Sequence, residues 1–309
     1  MPKPPTPSMD VKATVMLIAL AAVWGSSFFF AEIALREVPP FTITLHRVFW
    51  ATPILGLIVW LKRIPIPRAP RIWGAYLVMG ALNNAIPFSL IFWGQTQINS
   101  GLASILNGTT AMFGAVVTGL LLKDEPLTAR KIIGAGLGLA GVAFIMGPDA
   151  LRRFDLGNLA QLAILGAALS YAFAGVWGRV GLAGQPPLMN ALGMVMGSTL
   201  LMIPIVLMVD GPPRLDLAFG TWSALLAVAA LSTSLAYVLY FAILARAGAA
   251  NLLLVTLLIP PFAIGLGVMF LNEQMKPEAW VGFAIIALGF AVTDGRLFGR
   301  LRGDQHLRT

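Results

Sequence analysis

The chain has no cysteine, so neither a disulfide nor a thiolate metal site is possible. It has only two histidines, His46 and His306, far apart in sequence and matching no metal-ligand spacing. There is no HExxH helix and no Walker A phosphate loop, which leaves metalloprotease chemistry and ATP-driven pumping without their residues. Charge is also scarce. Asp, Glu, Lys and Arg make up 11% of 309 residues, against 58% hydrophobic, and the mean hydropathy is +0.84. No soluble domain of this length could cover its surface with that composition. A metal, a cofactor and a nucleic-acid partner are all unexpected, and the bilayer is the expected environment.

What the chain has is ten apolar runs, at 13–35, 41–61, 72–94, 101–122, 130–147, 156–180, 188–209, 219–245, 248–271 and 277–294. About 20 helical residues cross the roughly 30 Å hydrocarbon core. The fold class predicted is an all-α membrane protein with ten transmembrane helices. The net charge of +8 follows topology. With the N-terminus inside, fifteen Lys and Arg fall on the cytoplasmic side and five on the outer side, with Arg47 left within segment 2. The positive-inside rule then puts both termini in the cytoplasm. Residues 1–12, rich in proline, read as a cytoplasmic tail, and 295–309 as a basic cytoplasmic tail. Segment 1 is too long for a signal-peptide core and runs into Glu32, Arg36 and Glu37 without a small-residue cleavage site, so it reads as a retained helix.

The last five segments echo the first five. A shift of 148 lays residues 101–144 on 249–292 without a gap and matches Gly119 with Gly267, Glu125 with Glu273, Gly134 with Gly282 and Gly141 with Gly289. Two five-helix units follow, 13–147 and 156–294, joined by an outer linker at 148–155. Five is odd, so the second unit inserts upside down relative to the first. Such inverted repeats carry a pseudo-two-fold axis in the membrane plane, and substrate sites in transporters lie near it.

Segment 1 contains Ala22-Val23-Trp24-Gly25-Ser26-Ser27, followed by Val38-Pro39-Pro40 and Leu45-His46-Arg47. Gly101 to Ser104, Leu122 to Thr128 around Glu125, and Gly134 have counterparts in Gly248 to Asn251, Leu271-Asn272-Glu273 and Gly282. Over nearly its full length the chain resembles the EamA-type branch of the drug/metabolite transporter superfamily. That resemblance implies a multi-pass inner-membrane exporter of small metabolites, with amino acids, especially aromatic ones, prominent among substrates. The partner implied is a small zwitterionic solute. Two departures stand out: Tyr171 occupies the place of Trp24, and Pro260-Pro261 has no partner in segment 4.

Several residues are candidates for substrate contact. Asn83 and Pro87 form one group, because Pro87 cannot donate to the Asn83 carbonyl and so frees an acceptor beside an amide. Asn107 and Thr110 share a helical face with Ser104, Gly114 and Thr118, a stripe that suits a hydrated cavity or close helix packing. Ser234 and Tyr237 in segment 8, and Thr256 before the Pro260-Pro261 break expected in segment 9, offer hydroxyls and freed carbonyls. Trp24, Ser27, Tyr171 and Trp177 are candidate walls for an apolar substrate body, or simply packing.

Glu32, His46 and Arg47 are the ionisable groups expected within the membrane. They are candidates for a gate or ion pair, with Glu32 the partner expected for Arg47 in depth. Glu125 and Glu273 read as structural loop carboxylates, each complementing the N-terminus of the helix that follows it. The expected function is secondary transport by alternating access at a midplane site. A multidrug or nucleotide-sugar carrier and a passive channel for small solutes remain alternatives, and an enzyme is not expected.

Overall fold

The computed structural model describes residues 10–123, 127–146 and 156–294. Glu125, the linker at 148–155, the tail at 295–309 and most of the N-terminal tail lie outside the described residues. All regular structure within them is helical. The first five helices are α1 (Val11–Ala34), α2 (Pro40–Leu61), α3 (Pro70–Gln95), α4 (Ser100–Leu121) and α5 (Ala129–Met146). Then come α6 (Leu156–Gly181), α7 (Pro187–Val209), α8 (Phe219–Ala247), α9 (Ala249–Leu252 and Val255–Leu271) and α10 (Pro277–Asp294). Seven, α1 to α4 and α6 to α8, are long and apolar enough to cross a membrane; Val255–Leu271 and Pro277–Thr293 are apolar but shorter. Their outward side chains are apolar too, Trp60, Leu200 and Met208 among them. This surface suits lipid.

The packing follows the repeat. α5 lies against α10, α2 against α7, and α4 against α9. α1 packs on α8 and α9, as its counterpart α6 packs on α3 and α4; α3 packs on α7 as α8 packs on α2. Each of these contacts maps onto another, or onto itself, when α1–α5 are exchanged with α6–α10. The glycines matched in sequence explain the α5–α10 seam. A Cβ on Gly134 would sit 2.5 Å from the Gly289 carbonyl, and one on Gly141 2.8 Å from that of Gly282. Only hydrogen at these positions lets the two backbones touch.

Helix ends are fastened across the repeats at one end of the bundle. Asp210 accepts from the backbone N–H and the hydroxyl of Thr42, both at 2.8 Å, at the start of α2. Glu37 accepts from Ala218 N–H at 3.0 Å, at the start of α8. Glu273 accepts from the N–H groups of Ser100 (2.9 Å) and Gly101 (3.2 Å), opening α4. These carboxylates satisfy orphan donors and complement the helix dipole. The expectation that Glu273 serves the following helix is thus corrected. Asn272 closes α9 in the left-handed conformation, the Glu273 N–H bonds to the Gly267 carbonyl at 3.1 Å, and its side chain reaches α4. Thr128 takes the Lys131 N–H at 3.4 Å at the start of α5.

At the opposite end the exposed pair Asp10–Arg246 ties α1 to α8. Asp10 also caps α1 by accepting from Ala13 N–H at 2.8 Å.

Candidate functional site

α3 and α8 each contain a π-helical segment, Ala81–Ala85 and Ala230–Leu235. The two occupy equivalent places in the repeats. Their causes differ. In α3, Pro87 removes the N–H that would have bonded to Asn83, and the Ile86 N–H reaches back five residues to Ala81. The sequence predicts a kink here, and the chain absorbs the defect as a bulge instead. α8 has no proline in this stretch. There the Thr233 and Ser234 hydroxyls donate to the carbonyls of Val228 and Ala229, both at 3.0 Å and five residues back.

The bulges turn polar side chains into the bundle. Asn84 is fully buried; its amide donates to Ser198 Oγ at 2.9 Å, and its Oδ1 accepts from the Tyr237 hydroxyl at 2.8 Å. Asn83 donates to Tyr237 Oη at 3.1 Å. Ser198 comes within reach because α3 and α7 run in backbone contact: a Cβ on Gly80 would lie 2.6 Å from the Met194 carbonyl. On the α8 side, Ser232 donates to the Val23 carbonyl of α1 at 2.8 Å. The cluster therefore links α1, α3, α7 and α8 through hydrogen bonds in the bundle interior.

Arg47 completes it. It starts seven residues into α2, about 10 Å along the axis, and is 7% exposed. Its Nε donates to Thr233 Oγ1 at 2.9 Å and one Nη2 N–H to the Ser232 carbonyl at 3.2 Å. The guanidinium lies 3.6 Å from the centre of the Phe88 ring, and Tyr171 and Tyr237 are within electrostatic reach. A cation at helix centre costs about 2.5–3.5 kcal/mol to insert, so these neighbours hold it at some expense. The expected pairing with Glu32 is absent. The long side chain runs inward to the α8 bulge, where a hydroxyl and a turned-out carbonyl supply acceptors.

Glu32 instead lines a cleft of about 280 Å³ with Arg36, Gln95, Asn99 and Glu273. Gln95 donates to the Phe28 carbonyl at 2.9 Å, leaving its Oε1, like Glu32 Oε2, buried without a hydrogen-bond partner. His46 takes the Trp50 indole N–H at 3.0 Å and meets Trp222 edge-on. The gate trio is thus split among three surroundings.

The other candidates scatter. Ser27 spends its hydroxyl on the Trp24 carbonyl of its own helix at 2.7 Å, and Trp24 packs on Tyr240 with ring centres 5.9 Å apart. Trp177 donates to the Ala75 carbonyl at 2.9 Å, pinning α6 to α3. Asn107, Thr110 and Thr256 sit where α4 and α9 break, at Gly108–Thr109 and Leu253–Leu254. Thr110 bonds to the Asn107 carbonyl (2.7 Å) and Thr256 to that of Leu253 (2.8 Å), while Asn107 Oδ1 is buried without a partner. The break in α9 precedes Thr256; Pro260 and Pro261 stand inside a continuous helix. Sequence reasoning missed Ser198, Phe88 and Gln95. For Ser198 the available signal was Gly193 and Gly197, one turn apart on α7, with Ser198 next to the second of them.

Comparison with known proteins agrees with this architecture. The model of the EamA-like transporter family matches residues 11–147 and again 158–293. "Uncharacterized transporter YoaV" of Bacillus subtilis is 24% identical over 280 residues, covering 90% of this chain and 95% of that protein. A "Probable terminal-alkyne amino-acid exporter" of Streptantibioticus cattleyicolor is 24% identical over 292 residues, covering 94% and 96%. A solved crystal structure shares the fold with a TM-score of 0.66 at 17% identity, over 93% of this chain and 98% of that one.

Proposed function

Because the chain belongs to the EamA-like transporter family, we propose that it is a secondary transporter that exports or exchanges amino acids, aromatic ones included. Alternating access about the pseudo-two-fold axis moves them through a site between the α3 and α8 bulges. The observation that carries this reading is the buried polar cluster at those bulges. Polar groups inside a membrane helix bundle are costly and mark solute pathways. Two equivalent helices with loosened hydrogen bonding, facing each other across the axis, are suited to rocking between two states of similar energy. The relative named for amino-acid export supports the substrate class.

The same reading gives ten crossings in the cell's inner membrane with both termini cytoplasmic, supported by the distribution of Lys and Arg. The short α9 and α10 complete the second repeat by packing on α4 and α5. The test is counterflow: proteoliposomes preloaded with unlabelled amino acids should accumulate labelled phenylalanine or threonine, saturably, and lose this when preloaded with buffer. Flux that never saturates indicates a channel. No flux of any amino acid from folded protein overturns the substrate class in favour of a drug or nucleotide-sugar carrier.

A further inference from the structure

We propose that Arg47 is the anchor for the carboxylate of the transported solute, an assignment that rests on the amino-acid transport reading above. Among the described residues, no carboxylate lies within ion-pair distance of Arg47. Asp210 is engaged by Thr42, Glu37 by Ala218 and Glu273 by Ser100 and Gly101, while Glu32 lines its own cleft. A cation that is 93% buried, from its 7% exposure, therefore stands without a counter-ion among the described residues, contrary to the usual pairing of buried charges.

Geometry adds to this. A guanidinium has five N–H donors in a planar fork. One Nε and one Nη2 donor are used, on a hydroxyl and a carbonyl, and Nη1 makes no hydrogen bond with any described residue. One face of the guanidinium is covered by the Phe88 ring. The free end of the fork is the part suited to a carboxylate, which accepts two parallel N–H bonds. A single positive charge matches a monocarboxylate; a phosphate dianion would leave a net negative charge in the bundle. Asn83 Oδ1 accepts no hydrogen bond among the described residues and can take an ammonium at the other end of a zwitterion.

The experiment sets phenylalanine against three relatives that share its ring: 3-phenylpropanoate, phenylalaninamide and phenethylamine. Each competes with labelled phenylalanine in counterflow, and each is also tested for thermal stabilisation of the purified protein in detergent. The wild type should prefer the two carboxylates over the amide and amine by about tenfold or more, the scale of a charge-assisted hydrogen bond. Arg47→Gln should bring that ratio close to one. Should Arg47→Gln not give a monodisperse protein, Arg47→Lys serves, with carboxylates still preferred but bound several-fold more weakly. Equal competition by the amide and amine in the wild type, or a preference for carboxylates that survives in Arg47→Gln, overturns the assignment. Absence of phenylalanine counterflow together with carboxylate-selective, Arg47-dependent stabilisation overturns the transport of phenylalanine and upholds the carboxylate anchor. Absence of both overturns both.

Discussion

The α3 and α8 bulges use one backbone device with two chemistries. In α3 it is enforced by a missing donor at Pro87, and the side chains presented are amides, Asn83 and Asn84. In α8 it is stabilised by added donors, the hydroxyls of Thr233 and Ser234, and no proline is involved. Each bulge is also completed by a residue of the other repeat. Tyr237 of α8 binds Asn84, and Arg47 of α2 binds Thr233. The symmetry therefore lives in the backbone and the asymmetry in the side chains. An inverted repeat can keep two rocking halves alike while giving its centre a polar end and a cationic end.

The comparison makes unequal predictions for the two sides. The largest effect is expected at Thr233→Val, which removes one of the two acceptors of a buried cation and one of the donors holding the α8 bulge. A loss of about 1.5–3 kcal/mol follows from the value of hydrogen bonds to charged groups, read as a fall in the unfolding midpoint in detergent. Asn84→Ala should cost less, about 1–2 kcal/mol, within the range measured for hydrogen bonds between membrane helices. If the two cost the same, the cation adds nothing and the contrast between the bulges fails.

Pro87→Ala separates cause from consequence. It restores an N–H to α3, so stability should hold or rise while counterflow slows. An unchanged rate would show that the α3 bulge survives without its proline.

The smallest effect lies outside the bilayer, where the exposed Asp10–Arg246 pair closes α1 against α8. The hydrogen bond from Arg246, with that from the Ala13 N–H, draws the Asp10 carboxyl from its ordinary 3.8 down to about 2. A lowered folded-state value means the contribution is present above about 4 and fades as pH falls toward about 2. Arg246→Gln should return most of this shift, observable by NMR titration of Asp10.

Much of the fold was legible because it rests on local signals. Apolar run lengths marked α1 to α10 within one or two residues, except where a run hid a break. The matched glycines 134, 141, 282 and 289 were legible only as marks of the repeat; that they form the α5–α10 seam, where the absence of a Cβ lets two backbones touch, comes from the structure. The site was less legible. Asn83, Tyr237, Ser234 and Arg47 stood out as polar residues in apolar helices, and the structure gathers them around the two bulges. Depth alone could not show that Arg47 turns toward Thr233, away from Glu32, because that choice depends on a carbonyl freed by a bulge in another helix. The π segment of α8 left no sequence signal of its own, as Ser and Thr are ordinary in such helices. Nor could order along the chain show that Glu273 caps α4.

The central claim is that the cluster between the bulges is reached from both sides of the membrane in turn. A chain without cysteine lets a single introduced thiol report on it. Asn83→Cys should react with a membrane-impermeant maleimide applied to either side of proteoliposomes, because alternate opening of the two halves exposes it to each side in turn. Gln97→Cys at the exposed end of α3 serves as the labelled control. Reaction of position 83 from one side only, or from neither while position 97 reacts, would contradict the account.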